Sequence, residues 1–130
     1  MFVTDTHPIA HYAQEKNSKL GRKALRIFRD AEDGKTVIYV PTVVVWEIAA
    51  LLNAGLIRLS IRFDHWYREL NARDGFIVEP LAPEDVSEAR HLPFQDPFDC
   101  LIAGTAIRLS CPMITNDQAI TDSALLETIW

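Results

Sequence analysis

The feature that most constrains this chain is alternation. Short β-branched runs are separated by segments whose apolar residues recur at helical spacing. Met1 to Asp5 reads as a buried strand ending in a carboxylate, and Thr6-His7-Pro8 restarts the chain as a helix to about Gln14. Ser18 reads as the N-cap of a second helix, with Leu20, Ala24, Ile27 and Phe28 as its core stripe and Asp33-Gly34 as its end. Val37 to Val40 is a second strand, bounded by Gly34 and Pro41. Val45, Ile48, Ala49 and Leu52 then keep helical spacing as far as Gly55. Ser60 to Arg73 predicts another helix, Phe76 to Val78 a third strand, and Pro83 to about Leu92 a short helix. Asp96-Pro97-Phe98-Asp99 opens an apolar helix over Cys100 to Leu109, in which Ala103-Gly104-Thr105-Ala106 permits close packing. Pro112 to Thr115 is a fourth strand and Glu127 to Trp130 a short last one.

Such alternation predicts an α/β domain with three layers, α/β/α, around a mostly parallel central sheet. With 130 residues, 48% of them apolar, one core can hold the chain as a single domain over residues 1–130 without disulfide or metal staples. The longest apolar run, Val37 to Trp46, is broken by Pro41 and is about half a membrane span. No membrane partner is expected. The first residues carry no basic segment and reach a carboxylate at Asp5, so a cytoplasmic protein is expected, with Cys100 and Cys111 as free packing thiols.

The net charge of −5 hides an asymmetry. Lys16, Lys19, Arg22, Lys23, Arg26 and Arg29 fall within fourteen residues that contain no acid, whereas from Gly75 onward two arginines face nine acids. A stripe of that kind suits phosphate contact, with Lys19, Arg22, Lys23 and Arg26 as the candidate contacts.

Four acids stand at comparable places in the pattern. Asp5 ends the first strand, Asp117 follows the fourth, Glu47 begins the helix after the second, and Asp99 begins the helix before the fourth. In an open parallel sheet these positions converge on the carboxyl edge, where such folds bind ligands. Carboxylates gathered there repel one another until a proton or a cation intervenes, and all-oxygen ligation selects Mg²⁺ or Mn²⁺. Ions of this kind promote hydrolytic phosphodiester cleavage.

Val3-Thr4-Asp5-Thr6-His7, Val45-Trp46-Glu47-Ile48-Ala49, Asp96-Pro97-Phe98-Asp99-Cys100-Leu101-Ile102-Ala103 and Ile114-Thr115-Asn116-Asp117 together resemble the PIN domain of VapC-type toxin ribonucleases. Order, spacing and total length agree over essentially the whole chain. The resemblance implies a metal-dependent endoribonuclease whose catalytic and metal-binding acids are Asp5, Glu47, Asp99 and Asp117, with Asp96 as a further metal ligand. Thr6 and Thr115 match supporting hydroxyl positions that bind water or a carboxylate. It also implies a homodimer inhibited by a small cognate antitoxin. Many relatives carry an Arg after the Asp-Pro-Phe-Asp segment and a His shortly before it, where this chain has Cys100 and Phe94.

Plainer roles compete at several positions. Asp96 with Pro97 also makes an ordinary helix cap. His7 is expected to pack or bond locally, His11, His65 and His91 to be structural, and Trp46, Trp66 and Trp130 to be core or dimer contacts. The alternative functions are a catalytically silent PIN-like module acting with an antitoxin as a regulator, and a phosphotransfer domain. The latter lacks a second Asp two residues after Asp5 and any Lys beyond Lys35.

Overall fold

Residues such as Val3, Ile38, Val40, Met113 and Ile114 are wholly buried on strands of two to four residues, as required of a sheet covered on both faces. In the computed structural model, which describes residues 1–130, β1 (Phe2–Thr4), β2 (Ile38–Pro41), β3 (Phe76–Glu79), β4 (Met113–Ile114) and β5 (Thr128–Ile129) form one sheet. Its order is β3-β2-β1-β4-β5 and every pairing is parallel. The helices are α1 (Thr6–Ala13), α2 (Arg22–Glu32), α3 (Thr42–Asn53), α4 (Phe63–Asn71), α5 (Pro83–Ala89), α6 (Pro97–Arg108) and α7 (Gln118–Ser123).

The chain steps outward from β1 to β2 to β3, then returns to lay β4 on the other side of β1. Right-handed crossovers therefore send α1 to α4 over one face and α5 to α7 over the other, giving the α/β/α layers. The reversal leaves a switch point between β1 and β4, the place where a parallel sheet opens a crevice at its carboxyl edge. Below it Phe28 of α2 stacks on Tyr12 of α1, with ring centroids 4.7 Å apart, and on Phe76 of β3 at 6.4 Å. No helix is long and apolar enough to cross a membrane.

Several boundaries move. Ser18 is not a helix cap. It lies in a 3-10 turn, Asn17–Lys19, and α2 starts only after Gly21, because Leu20 is extended and Gly21 lies flush against Trp130. A Cβ at Gly21 would stand 2.3 Å from the Trp130 carbonyl carbon, so the chain must pass there as glycine before it can coil. Lys19 accordingly precedes α2. The helix expected over Ser60 to Arg73 is shorter, with Arg62 at its N-cap. Pro41 closes β2, paired with Glu79, and also caps α3.

Trp66 is buried and Trp130 half-buried, whereas Trp46 is 57% exposed, so of the core and dimer-contact roles expected for it the core role does not hold. On α3 it points away from the buried stripe of Val44 and Ile48. His7 is exposed, not packed. Both cysteines are free and buried.

One internal ion cluster stands apart from the acids at the sheet edge. Asp85 is wholly buried, accepts from the Ala82 N–H at 2.9 Å, and takes the Arg108 guanidinium through Nε. Arg108 Nη2 also reaches Glu79 at 2.8 Å, so the end of α6 is bolted to the start of α5 and the end of β3. Gly104 permits this close packing: a Cβ there would lie 2.4 Å from the Asp85 carbonyl oxygen.

Candidate functional site

Each acid at the carboxyl edge is placed by a local rule. Asp5 leaves β1 in extended conformation and caps α1, its Oδ1 accepting from the Thr6 N–H at 2.7 Å. Asp96 caps α6 by accepting from the Phe98 N–H at 2.8 Å, which puts Asp99 in the first turn of the same helix. Asp117 caps α7, accepting from the Ile120 N–H at 3.0 Å. Glu47 comes from the second turn of α3. Three helix N-termini thus meet the carboxylates with their positive ends, an arrangement that stabilises the negative charge.

Two threonines tie the acids together. Thr115 Oγ1, at the end of β4, donates to Asp5 Oδ2 at 2.7 Å across the switch point, and accepts from the Asp117 N–H at 3.1 Å. Thr6 Oγ1 donates to Glu47 Oε1 at 2.7 Å, linking α1 to α3. Both threonines are buried and point their hydroxyls at carboxylates.

Charge crowding shows in the acid strengths. The Asp5 carboxyl is pushed up by burial, against the pull of its bonds to Thr115 and Thr6. Burial also raises Glu47, opposed by the Thr6 bond, while the Asp5 and Asp96 charges add to the rise. Asp99 is raised to about 7, first by burial and then by Asp5, Asp96, Glu47 and Asp117. All five acids therefore share one electrostatic neighbourhood. His7 belongs to it as well, since its charge draws both Asp5 and Glu47 down. Its position directly after Asp5-Thr6 was the only sequence signal for that placement.

The donors are carboxylate and hydroxyl oxygens alone, and their surplus negative charge suits a hard divalent cation. No three His, Cys, Asp or Glu side chains already form a ligand cluster. The acids ring a common edge, four of them held by hydrogen bonds to hydroxyl or backbone groups of their own. A cavity of about 590 Å³ lies elsewhere, walled by Ile9, Tyr12, Trp66, Leu70 and Phe76.

The basic residues sit on the same molecule in an orderly way. Lys19, Arg22, Lys23 and Arg26 all reach solvent. Gly21 against Trp130, just past β5, brings the start of α2 to the carboxyl edge, whereas Ala31, near its end, abuts Gly75 just before β3. Arg26 has a loose pair with Asp30 at 3.9 Å.

Compared with known families, the chain matches the PIN domain over residues 2–124. No curated protein matches it. Among solved structures it is similar to the VapBC2 complex of Rickettsia felis bound to a DNA fragment from its promoter, at 12% identity and TM-score 0.66, covering 98% of this chain and 96% of that one. It is similar also to FitAcB from Neisseria gonorrhoeae, at 17% identity and TM-score 0.64, with 100% and 97% covered. A toxin–antitoxin complex from Klebsiella pneumoniae gives 12% identity and TM-score 0.64, again with 100% and 97% covered. At such identities the likeness establishes the fold.

Proposed function

This chain belongs to the PIN domain family, and we propose that it is a VapC-like toxin: a Mg²⁺- or Mn²⁺-dependent endoribonuclease of the cytoplasm. The observation that carries this reading is the gathering of Asp5, Glu47, Asp99 and Asp117, with Asp96 beside them, so that Asp99 is raised to about 7 by burial among its neighbours. Those residues would hold the ion, with Asp96 the outermost because it is exposed. The ion, when bound, supplies Lewis acidity toward the phosphodiester and acidifies water.

The residues of the chain have distinct parts in this reading. Asp5 is fixed by Thr115 and by its own helix cap, so its carboxylate is oriented before any ligand arrives. Glu47 is oriented by Thr6 in the same manner. Lys19, Arg22, Lys23 and Arg26 hold the RNA backbone and give the affinity a salt dependence. A small antitoxin as partner is supported by the toxin–antitoxin assemblies among the structural relatives. The exposed Trp46 on α3 suits a homodimer contact. The test is incubation of cellular RNA with the purified, antitoxin-free chain in Mn²⁺, Mg²⁺ or EDTA: discrete cuts with either metal and none in EDTA are expected, and cutting that ignores EDTA would refute it.

A further inference from the structure

Between Thr6 and Arg29 the chain has one acid, Glu15, and that residue lines the large cavity on the flank of α1. The rest of this stretch presents cations and histidines in a row that begins at the acids. His7 is the second residue of α1, exposed directly after Asp5-Thr6. His11 lies one turn further, with its ring centroid 6.4 Å from that of His7. Beyond the helix end the backbone turns back so that the Lys16 N–H donates to the His11 carbonyl at 2.8 Å, and the Lys19 N–H donates to the Lys16 carbonyl at 3.0 Å. Lys16 and Lys19 are exposed, and neither takes part in any of the ion pairs of the fold. His11 Nδ1 is buried without a hydrogen-bond partner.

We propose that His7, His11, Lys16 and Lys19 form a track that grips consecutive phosphates of the RNA strand on one side of the scissile bond. This inference rests on the nuclease reading and deepens it by giving the substrate a path. Three features favour an anion there. The two lysines are unneutralised, the four side chains are strung along one element and the turn that follows it, and that element starts at Asp5, so a strand seated on it is delivered to the acids. His11 is held below its usual range by burial and by the charges of His7, Lys19 and Lys16, an effect that a neighbouring phosphate would offset. The imidazoles need only donate an N–H to a phosphate oxygen, and the lysines act as point charges. Single-stranded RNA, with its backbone free to follow a curved surface, is the substrate such a track fits.

The experiment compares the full chain with its Lys16→Ala, Lys19→Ala double variant and with His11→Gln, using two RNA oligonucleotides extended on opposite sides of the same cut. The wild-type chain should prefer one of the two oligonucleotides by about tenfold in KM. The double variant should lose that preference, and its log–log salt slope should flatten by about 1.4, the value for two single-strand phosphates. His11→Gln, which keeps an N–H donor, should retain most of the preference. Equal losses on both oligonucleotides would reduce the lysines to unspecific surface charge and overturn the track. So would an unaltered KM in a protein that still cuts RNA, which leaves the nuclease reading standing. Failure of the wild-type chain to cut any RNA would instead refute that reading, and the track with it.

Discussion

The Thr115 hydroxyl donates to Asp5 Oδ2 at 2.7 Å, joining residues 110 positions apart across the switch point between β1 and β4. The bond both orients the Asp5 carboxylate and lowers its pKa against the rise that burial imposes. Thr115→Val should leave that carboxylate buried with one partner fewer, costing about 1–3 kcal/mol of stability. Mn²⁺ affinity should fall by about tenfold or more. Thr115→Ser should restore both in calorimetric titration and thermal unfolding; full Mn²⁺ affinity in the valine variant would show that the hydroxyl does not serve the site.

The pH dependence follows from the direction of the Asp99 shift. In the metal-free fold Asp99 holds its proton up to about pH 7, whereas the unfolded chain releases it near 3.8. The folded state thus binds more protons between those values, so this contribution to stability is present at acid pH and is lost as the pH climbs toward 7. A divalent cation competes with that proton. The rise in Tm caused by Mn²⁺ should therefore grow from about pH 5.5 to about 7.5, and Asp99→Asn should flatten the growth. A Tm increment independent of pH would contradict the placement of Asp99 among the ligands.

Much of this edge was legible in the sequence because the acids stand where chain geometry is predictable. Asp5 closes a β-branched run, and Asp96, Asp99 and Asp117 carry cap or first-turn signatures. Other features depend on distant partners. Asp85 looks locally like any acid opening a helix, and nothing nearby announces that Arg108 will return to it. Ser18 has the chemistry of a cap but loses to Gly21, whose place is dictated by Trp130 at the far end of the chain. Trp46 stands outside the helical stripe of Val45, Ile48, Ala49 and Leu52 and faces outward, and its size alone does not tell a core contact from a surface one.

The Asp85–Arg108–Glu79 cluster offers a test of the scaffold. Arg108→Ala would strand the wholly buried Asp85 carboxylate without its counter-ion, and removal of one partner from a buried pair costs about 3–5 kcal/mol. Arg108→Lys should recover little, because one ammonium cannot serve Asp85 and Glu79 as the guanidinium fork does. Denaturant unfolding measures both. A loss below about 1 kcal/mol in Arg108→Ala would mean that the cluster is solvated in practice.

The exposed stripe on α2 has a signature separate from that of the acids. Reversing Arg22 and Arg26 to Glu should weaken RNA binding and flatten its dependence on salt, by about 0.7 in the log–log slope for each phosphate that the helix ceases to neutralise. Metal affinity should not change. An identical salt slope would make this helix face a plain solvated surface.

The central claim is that the acids brought together at the switch point cut RNA. It is tested most directly by comparing cleavage of a cellular RNA pool, in Mn²⁺ and in EDTA, by the wild-type chain and its Asp5→Asn, Asp117→Asn variant. Asparagine still caps a helix, so the variant should keep its circular dichroism spectrum. Metal-dependent cuts that disappear in the variant, by at least about a thousandfold in rate, are the predicted result. Cuts that persist in the variant at the wild-type rate would contradict the account.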